Sequence, residues 1–178
     1  MFPCNAVDAK YAPACYHLHT SYILHKKGLH LLDTKKGSYM LNQNLLPLTE
    51  SFKECDKIAP EEFVRYCYRG MGRQLSILVL NDMKNSLTLC QLGQSIYQGD
   101  CFRGMVISIL DHRGIDQAFE FCKILPEQFK VDCYDGMGKW VLMLHSTADG
   151  RAKECSKAES SKYFEICMKA DLEALRLL

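Results

Sequence analysis

The ten cysteines of this 178-residue chain fall in five couples, Cys4/Cys15, Cys55/Cys67, Cys90/Cys101, Cys122/Cys133 and Cys155/Cys167, separated by 11 or 12 positions. A continuous α-helix would hold the members of a couple about 16 Å apart, at about 1.5 Å rise per residue. A disulfide needs Cα atoms about 4.4–6.8 Å apart. The chain must therefore reverse inside each couple, and a helical hairpin with one cysteine on each leg does this. An even number of cysteines in a regular array favours five local bridges and an oxidising compartment. The competing reading is ten buried, reduced thiols that pack as small hydrophobes.

The couples sit in a recurring outline, and self-similarity at a fixed period decides the fold before local signals do. An aromatic stands four residues before each second cysteine: Tyr11, Phe63, Tyr97, Phe129 and Tyr163. Another follows the second cysteine as Tyr16, Tyr68, Phe102 and Tyr134. Three residues after it comes a small residue, Gly70, Gly104, Gly136 or Ala170, with Leu18 departing in the first copy. First cysteines are 51 residues apart between the first two couples, then 35, 32 and 33. One repeat domain over 1–178 is expected, with units at about 1–27, 49–82, 83–114, 115–147 and 149–178. Residues 28–48, with Gly28, Gly37, Asn42, Asn44 and Pro47, read as an irregular insertion or a degenerate hairpin.

Within each unit the periodicity is helical. Phe63, Cys67, Gly70/Met71 and Gln74/Leu75 lie on one helical face, and Phe129, Cys133, Gly136/Met137 and Trp140/Val141 repeat the stripe. Ser51-Phe-Lys-Glu54 has the capping-box pattern of a helix start. Pro60-Glu61-Glu62 opens a second helix running to about Leu80 and stopped by Asn81 and Asp82. The third unit turns at Gly93 and Gly99 and closes at Gly114; Pro126 restarts the fourth, and Ser160 and Ser161 cap the fifth. Repeated glycine inside a helix implies close approach of another helix, and the aromatic stripes read as core more readily than as a binding groove.

Other signals mostly exclude. Twenty-two basic and twenty-one acidic side chains leave a charge of +1, which argues against a nucleic-acid or anionic-membrane surface. No apolar run approaches the roughly 18 residues of a membrane span. The opening MFPCNAVDAK lacks the basic and apolar regions of a signal peptide. The expectation is therefore a processed or truncated piece of a longer protein, or import by oxidative trapping. Gly70-Met71-Gly72-Arg73 and Gly136-Met137-Gly138-Lys139 lack the strand and further glycine of a phosphate loop, so they read as helix packing. Cys122 and Cys133 beside the second of these runs suggest a reactive site at first sight, but five copies of the outline make the couple a structural staple. His17, His19, His25 and His30 crowd the first unit without the i, i+4 spacing of helical zinc ligands. No metal site or cofactor is expected, with His17 and His19 the nearest candidates. C-x-x-C, C-x-x-C-H and G-x-S-x-G are missing, and no catalytic residue is singled out.

Hairpin units of about 33 residues with an internal cysteine couple, over 49–178 and again at 1–27, resemble the Sel1-like and tetratricopeptide-type α-solenoids. The likeness is to their disulfide-stapled members, found as secreted bacterial and mitochondrial intermembrane-space proteins. The Sel1-type tyrosine with Gly-x-Gly-Val between units is absent, and no functional residue transfers. The resemblance implies an all-α right-handed superhelix of about five stacked hairpins, with another protein or peptide on its concave face. The expected role is a non-catalytic interaction or scaffold module, secreted, periplasmic or in the intermembrane space. The alternatives are a metal- or haem-handling factor, or a hydrolase or redox enzyme using His17, His19 and His25. If the five bridges hold the fold, reductant lowers the melting temperature markedly while helical circular dichroism survives in the cold. An unchanged melting curve under reductant removes the disulfide reading.

Overall fold

The structure, a computed structural model, describes residues 4–29, 45–78 and 83–170. All regular structure among them is helical. It comprises α1 (Ala12–Lys26), α2 (Leu46–Asp56), α3 (Val64–Leu78), α4 (Met83–Cys90), α5 (Gln98–Arg113), α6 (Ile115–Ile124), α7 (Glu127–Leu144), α8 (Ala148–Cys155) and α9 (Ser161–Met168). Single 3-10 turns stand at Cys4–Ala6, Glu61–Phe63 and Ser95–Tyr97. The five couples are bonded as the spacing implies: Cys4 to Cys15, Cys55 to Cys67, Cys90 to Cys101, Cys122 to Cys133 and Cys155 to Cys167, with Cα–Cα distances of 5.5–5.7 Å. Each later bridge ties a short helix (α2, α4, α6 or α8) to the long or final helix after it. The first ties α1 to a single 3-10 turn.

Helix ends follow local chemistry, with exceptions that correct the sequence reading. Gly114, at φ +83°, ends α5, and Gly28, at φ +81°, follows α1. Pro126 precedes α7 as expected. The capping box at Ser51 is not a helix start. α2 begins at Leu46, and Ser51 is buried mid-helix, its Oγ donating to the Pro47 carbonyl at 2.8 Å. The apolar stripe Leu48, Phe52 and Cys55 at i, i+4, i+7 explains the earlier start, because burying all three requires helix before Ser51. The second unit thus begins inside the stretch read as irregular. Residues 30–44 (with His30) and the stop at Asn81 and Asp82 lie outside the described residues. After Pro60 one 3-10 turn comes first, and α3 starts at Val64. Ser160 stands at the start of α9 without a side-chain capping bond. Thr147 caps α8 instead, its Oγ1 accepting from the Gly150 N–H at 3.2 Å.

The stripe of α7 is narrower than its sequence form. Phe129, Cys133, Met137 and Val141 are buried, spaced by four, whereas Trp140, read with them, is only half-buried. Cys133 lies at the centre of this buried row and is enclosed completely. A ring as large as Trp140, one position off the row, is turned partly toward solvent.

The described chain divides into two compact units, 1–105 and 106–178, with the division inside α5. In the first, successive long helices meet at backbone distance. A Cβ on Gly70 (α3) would lie 2.1 Å from the His17 carbonyl oxygen of α1. One on Gly72 would lie 1.8 Å from the Cys101 oxygen of α5, and one on Gly104 (α5) 1.8 Å from the Arg69 oxygen of α3. Rings extend the contacts: Tyr16 stacks on Phe63 with centroids 5.5 Å apart, and Tyr68 meets Tyr97 at 5.1 Å. Tyr97 also donates its hydroxyl to Glu61 at 2.8 Å.

The second unit repeats the pattern. A Cβ on Gly138 (α7) would lie 2.2 Å from the Cys167 oxygen of α9, Tyr134 stacks on Tyr163 at 4.6 Å, and Tyr163 donates to Glu127. In both units the ring after one second cysteine carries the ring four before the next. Each such pair contributes about 0.5–1.5 kcal/mol beyond burial.

This rule corrects one expectation. Tyr11 carries the same sequence mark as Phe63, Tyr97, Phe129 and Tyr163, yet it is 60% exposed. Phe63, Tyr97 and Tyr163 lie against a ring of the hairpin before them, whereas among the described residues only the 3-10 turn Cys4–Ala6 precedes α1. The backbone contacts also set a test. Gly72→Ala forces a methyl against a carbonyl, so chemical denaturation should report a loss of at least about 2 kcal/mol, within the overpacking range. A loss within about 0.5 kcal/mol, the size of an ordinary surface substitution, removes the close-approach account.

Candidate functional site

α1 has two unlike faces. Toward α3 it buries Tyr16, His17, Thr20, Ile23 and Leu24. On the other side, beginning at the N-cap residue, Tyr11, Leu18 and Tyr22 are 60%, 65% and 57% exposed. Their spacing of i, i+7, i+11 places them on one stripe. Cys15 and His19, at i+4 and i+8, complete it, and both are half-buried. The His19 and Tyr22 rings are 5.0 Å apart, and Lys10 Nζ lies 4.8 Å from the centre of the Tyr11 ring. Burial holds the His19 pKa below its ordinary value. α1 contains no Asp or Glu, and its last turn carries His25 and Lys26.

Cys15 sets this face apart. The other nine cysteines are buried to 2% exposure or less, whereas Cys15 is open in part to solvent. It is the fourth residue of α1, and its N–H donates to the Tyr11 carbonyl at 3.0 Å. Cys133 is its opposite. Although it stands beside the second Gly-Met-Gly run, it is fully buried in α7 and bonded to the equally buried Cys122, so it offers no reactive thiol. Sequence reasoning placed the departure in the first unit through its histidines and through Leu18, which stands where later copies carry a small residue, but it gave Tyr11, Leu18 and Tyr22 no surface role.

The structure does not assemble the histidine candidates into a site. His17 is 7% exposed beneath α3, while His19 lies on the opposite, open side. His25 is exposed in the last turn of α1. Among the described residues no three His, Cys, Asp or Glu side chains are placed to hold a metal ion. His17 stands two residues after its second cysteine, the position of Arg69 and Arg103 in later hairpins. There Arg69 Nη2 donates to buried Asp100 at 3.1 Å, Arg65 Nε donates to it at 3.4 Å, and Arg103 approaches it at 3.9 Å. His17 thus occupies a packing layer. Burial first, then the Arg73 and Arg69 guanidinium groups, lower its pKa to about 4.

Two further sequence features settle into the interior. Tyr68, Phe102 and Tyr134 are fully buried and line no groove. Gly72 and Gly138, the last glycines of the Gly-Met-Gly runs, have their open sides filled by the Cys101 and Cys167 carbonyls. No protein-family model, curated protein or solved structure matches the chain.

Neutral, buried His17 has a consequence for acid stability. Its folded pKa of about 4 lies below the ordinary 6.5. The unfolded chain therefore takes up the proton first as pH falls. Stability is full above pH 6.5, declines toward pH 4, and the total loss is about 3 kcal/mol from this residue. Denaturant melts at pH 7 and pH 4 should show His17→Leu losing less on acidification than the native chain by that amount. Equal losses would exclude the assignment.

Proposed function

We propose that the chain is a non-catalytic protein-interaction module of an extracytoplasmic compartment, built from stapled helical hairpins. Its working surface is the open stripe of α1. The observation that carries the reading is the exposure of Tyr11, Leu18 and Tyr22 together on one face. Apolar surface gathered in this way, at positions that later hairpins cover, is the mark of a docking site. Leu18 adds to it. Gly70 and Gly104 let another helix backbone approach, and a leucine at the matching position bars that approach. The stripe is thus shaped for side chains rather than for a further hairpin.

Support for the compartment is the bonding of all ten cysteines, a state that persists in oxidising surroundings. No helix among the described residues is long and apolar enough to cross a membrane. The partner is a peptide segment with an apolar face. Panning a random peptide library on the oxidised protein should enrich such sequences, and Leu18→Glu should abolish the enrichment while leaving the melting temperature unchanged. Enrichment indifferent to Leu18→Glu would place binding elsewhere.

A further inference from the structure

We propose that acid releases the first hairpin, the 3-10 turn Cys4–Ala6 with α1, from α3, and that His17 is the trigger. The rest of the first unit stays folded. The switch concerns how α1 is held and does not depend on what docks on its open face. It follows from the place of His17 at the closest approach of the two helices. The His17 carbonyl oxygen faces Gly70, whose imagined Cβ would lie 2.1 Å away, and accepts from Thr20 Oγ1 at 2.9 Å. The ring is 7% exposed, and its Nδ1 is buried without a hydrogen-bond partner. Protonation makes both ring nitrogens donors. At Nδ1 the new charge then finds no acceptor, and the desolvation of a buried ion goes uncompensated.

The surrounding charges add to that cost rather than offset it. From α3 the Arg73 and Arg69 guanidinium groups bear on the ring. Asp100, the acid of that layer, is engaged by Arg69 and Arg65. From α2, Glu54 bonds to Lys57 at 3.0 Å and reaches Lys27, just past α1, at 3.5 Å. The Lys57 bond holds the Glu54 carboxyl below its ordinary range, so this tie stays charged at pH 5. In the 3-10 turn Glu61–Phe63, Glu61 accepts from Tyr97 and Glu62 is exposed. The turn Cys4–Ala6 brings only bonded Cys4. On α1 itself His19 lies on the opposite side, and His25 and Lys26 are exposed.

Release is local because nothing covalent except the main chain crosses this contact. Cys4–Cys15 closes inside the hairpin, and the next bridge begins at Cys55. Among the described residues α3 is the long helix that covers α1, whose other side carries exposed Tyr11, Leu18 and Tyr22. Once α1 has gone, α3 keeps α5 against Gly72 and its own staple to α2. A helix of 15 residues alone is marginal in water, so released α1 frays. Linkage gives the sign. The His17 pKa is about 4 when docked and about 6.5 when released, so lowering the pH from 7 to 5 raises the opening equilibrium about 20-fold. Acid opens the hairpin, and above pH 7 the contact has its full strength.

The test is amide hydrogen exchange of the oxidised full chain at pH 7 and pH 5, corrected for intrinsic rates, with peptides from α1 compared with peptides from α3. The expected result is that protection in α1 falls about 20-fold and protection in α3 by less than about threefold. His17→Leu or, should that variant not fold, His17→Gln should hold α1 protection within about threefold between the two pH values. Equal losses in α1 and α3 overturn the proposal, because the unit then opens as a whole. An undiminished pH dependence in the variant overturns it too, by assigning the trigger to another group. Where neither variant folds, the native chain still decides, because the His17 Cε1 proton resonance should titrate below about pH 5. Titration near the ordinary 6.5 with α1 fully protected means that the ring turns out to water while the helix stays, and the proposal falls.

Discussion

Each compact unit depends on one steric condition: its successive long helices come together at backbone distance, glycine against carbonyl. The imagined Cβ atoms of Gly72 and Gly104 would stand 1.8 Å from main-chain oxygens, so no side chain fits there. Close approach lets the flanking rings reach across, as Tyr16 does to Phe63 and Tyr134 to Tyr163. It has a cost within each helix. Glycine in a helix interior is worse than alanine by about 1 kcal/mol, and α3 and α7 each carry two. The staples offset this. Closing a loop of about a dozen residues stabilises by roughly 3 kcal/mol in the chain-entropy model, and every long helix has one such bond.

Between the glycine contacts runs a polar layer with a different task. Arg69 and Asp100 are both 8% exposed at their side chains, and Arg65 joins them from a more open position. Pairing in such a setting gains little over a well-packed apolar pair, but removing one partner leaves a buried charge and costs about 3–5 kcal/mol. The layer therefore penalises wrong register more than it adds stability. At the α1–α3 contact the matching residue is His17, neutral beneath the Arg69 and Arg73 charges.

Features set by local covalent geometry were legible in the sequence. Cysteines 11 or 12 apart cannot bond across a continuous helix, so the hairpins followed from spacing alone, Cys122–Cys133 as much as the rest. Gly114 ending α5 and Pro126 preceding α7 were readable for the same reason. Features set by a neighbour were not. Ser51-Phe-Lys-Glu54 has the letters of a helix start, but burial of Leu48 together with Phe52 and Cys55 carries the helix through it. Arg69 and Asp100 are 31 residues apart, and nothing in either local sequence distinguishes them from a solvated charge.

Tyr11 shows most clearly how the candidate site escaped the sequence. By periodicity it is a core residue, identical in mark to Tyr97 and Tyr163, and only the absence of a covering helix among the described residues makes it surface. Such a position is ambiguous in sequence, because burial belongs to the pair of surfaces and not to the residue. Leu18 resolves the ambiguity. Had this face been shaped to receive another long helix, a small residue would stand there, as it does in Gly70 and Gly104. A leucine at that point excludes a backbone and offers a side chain.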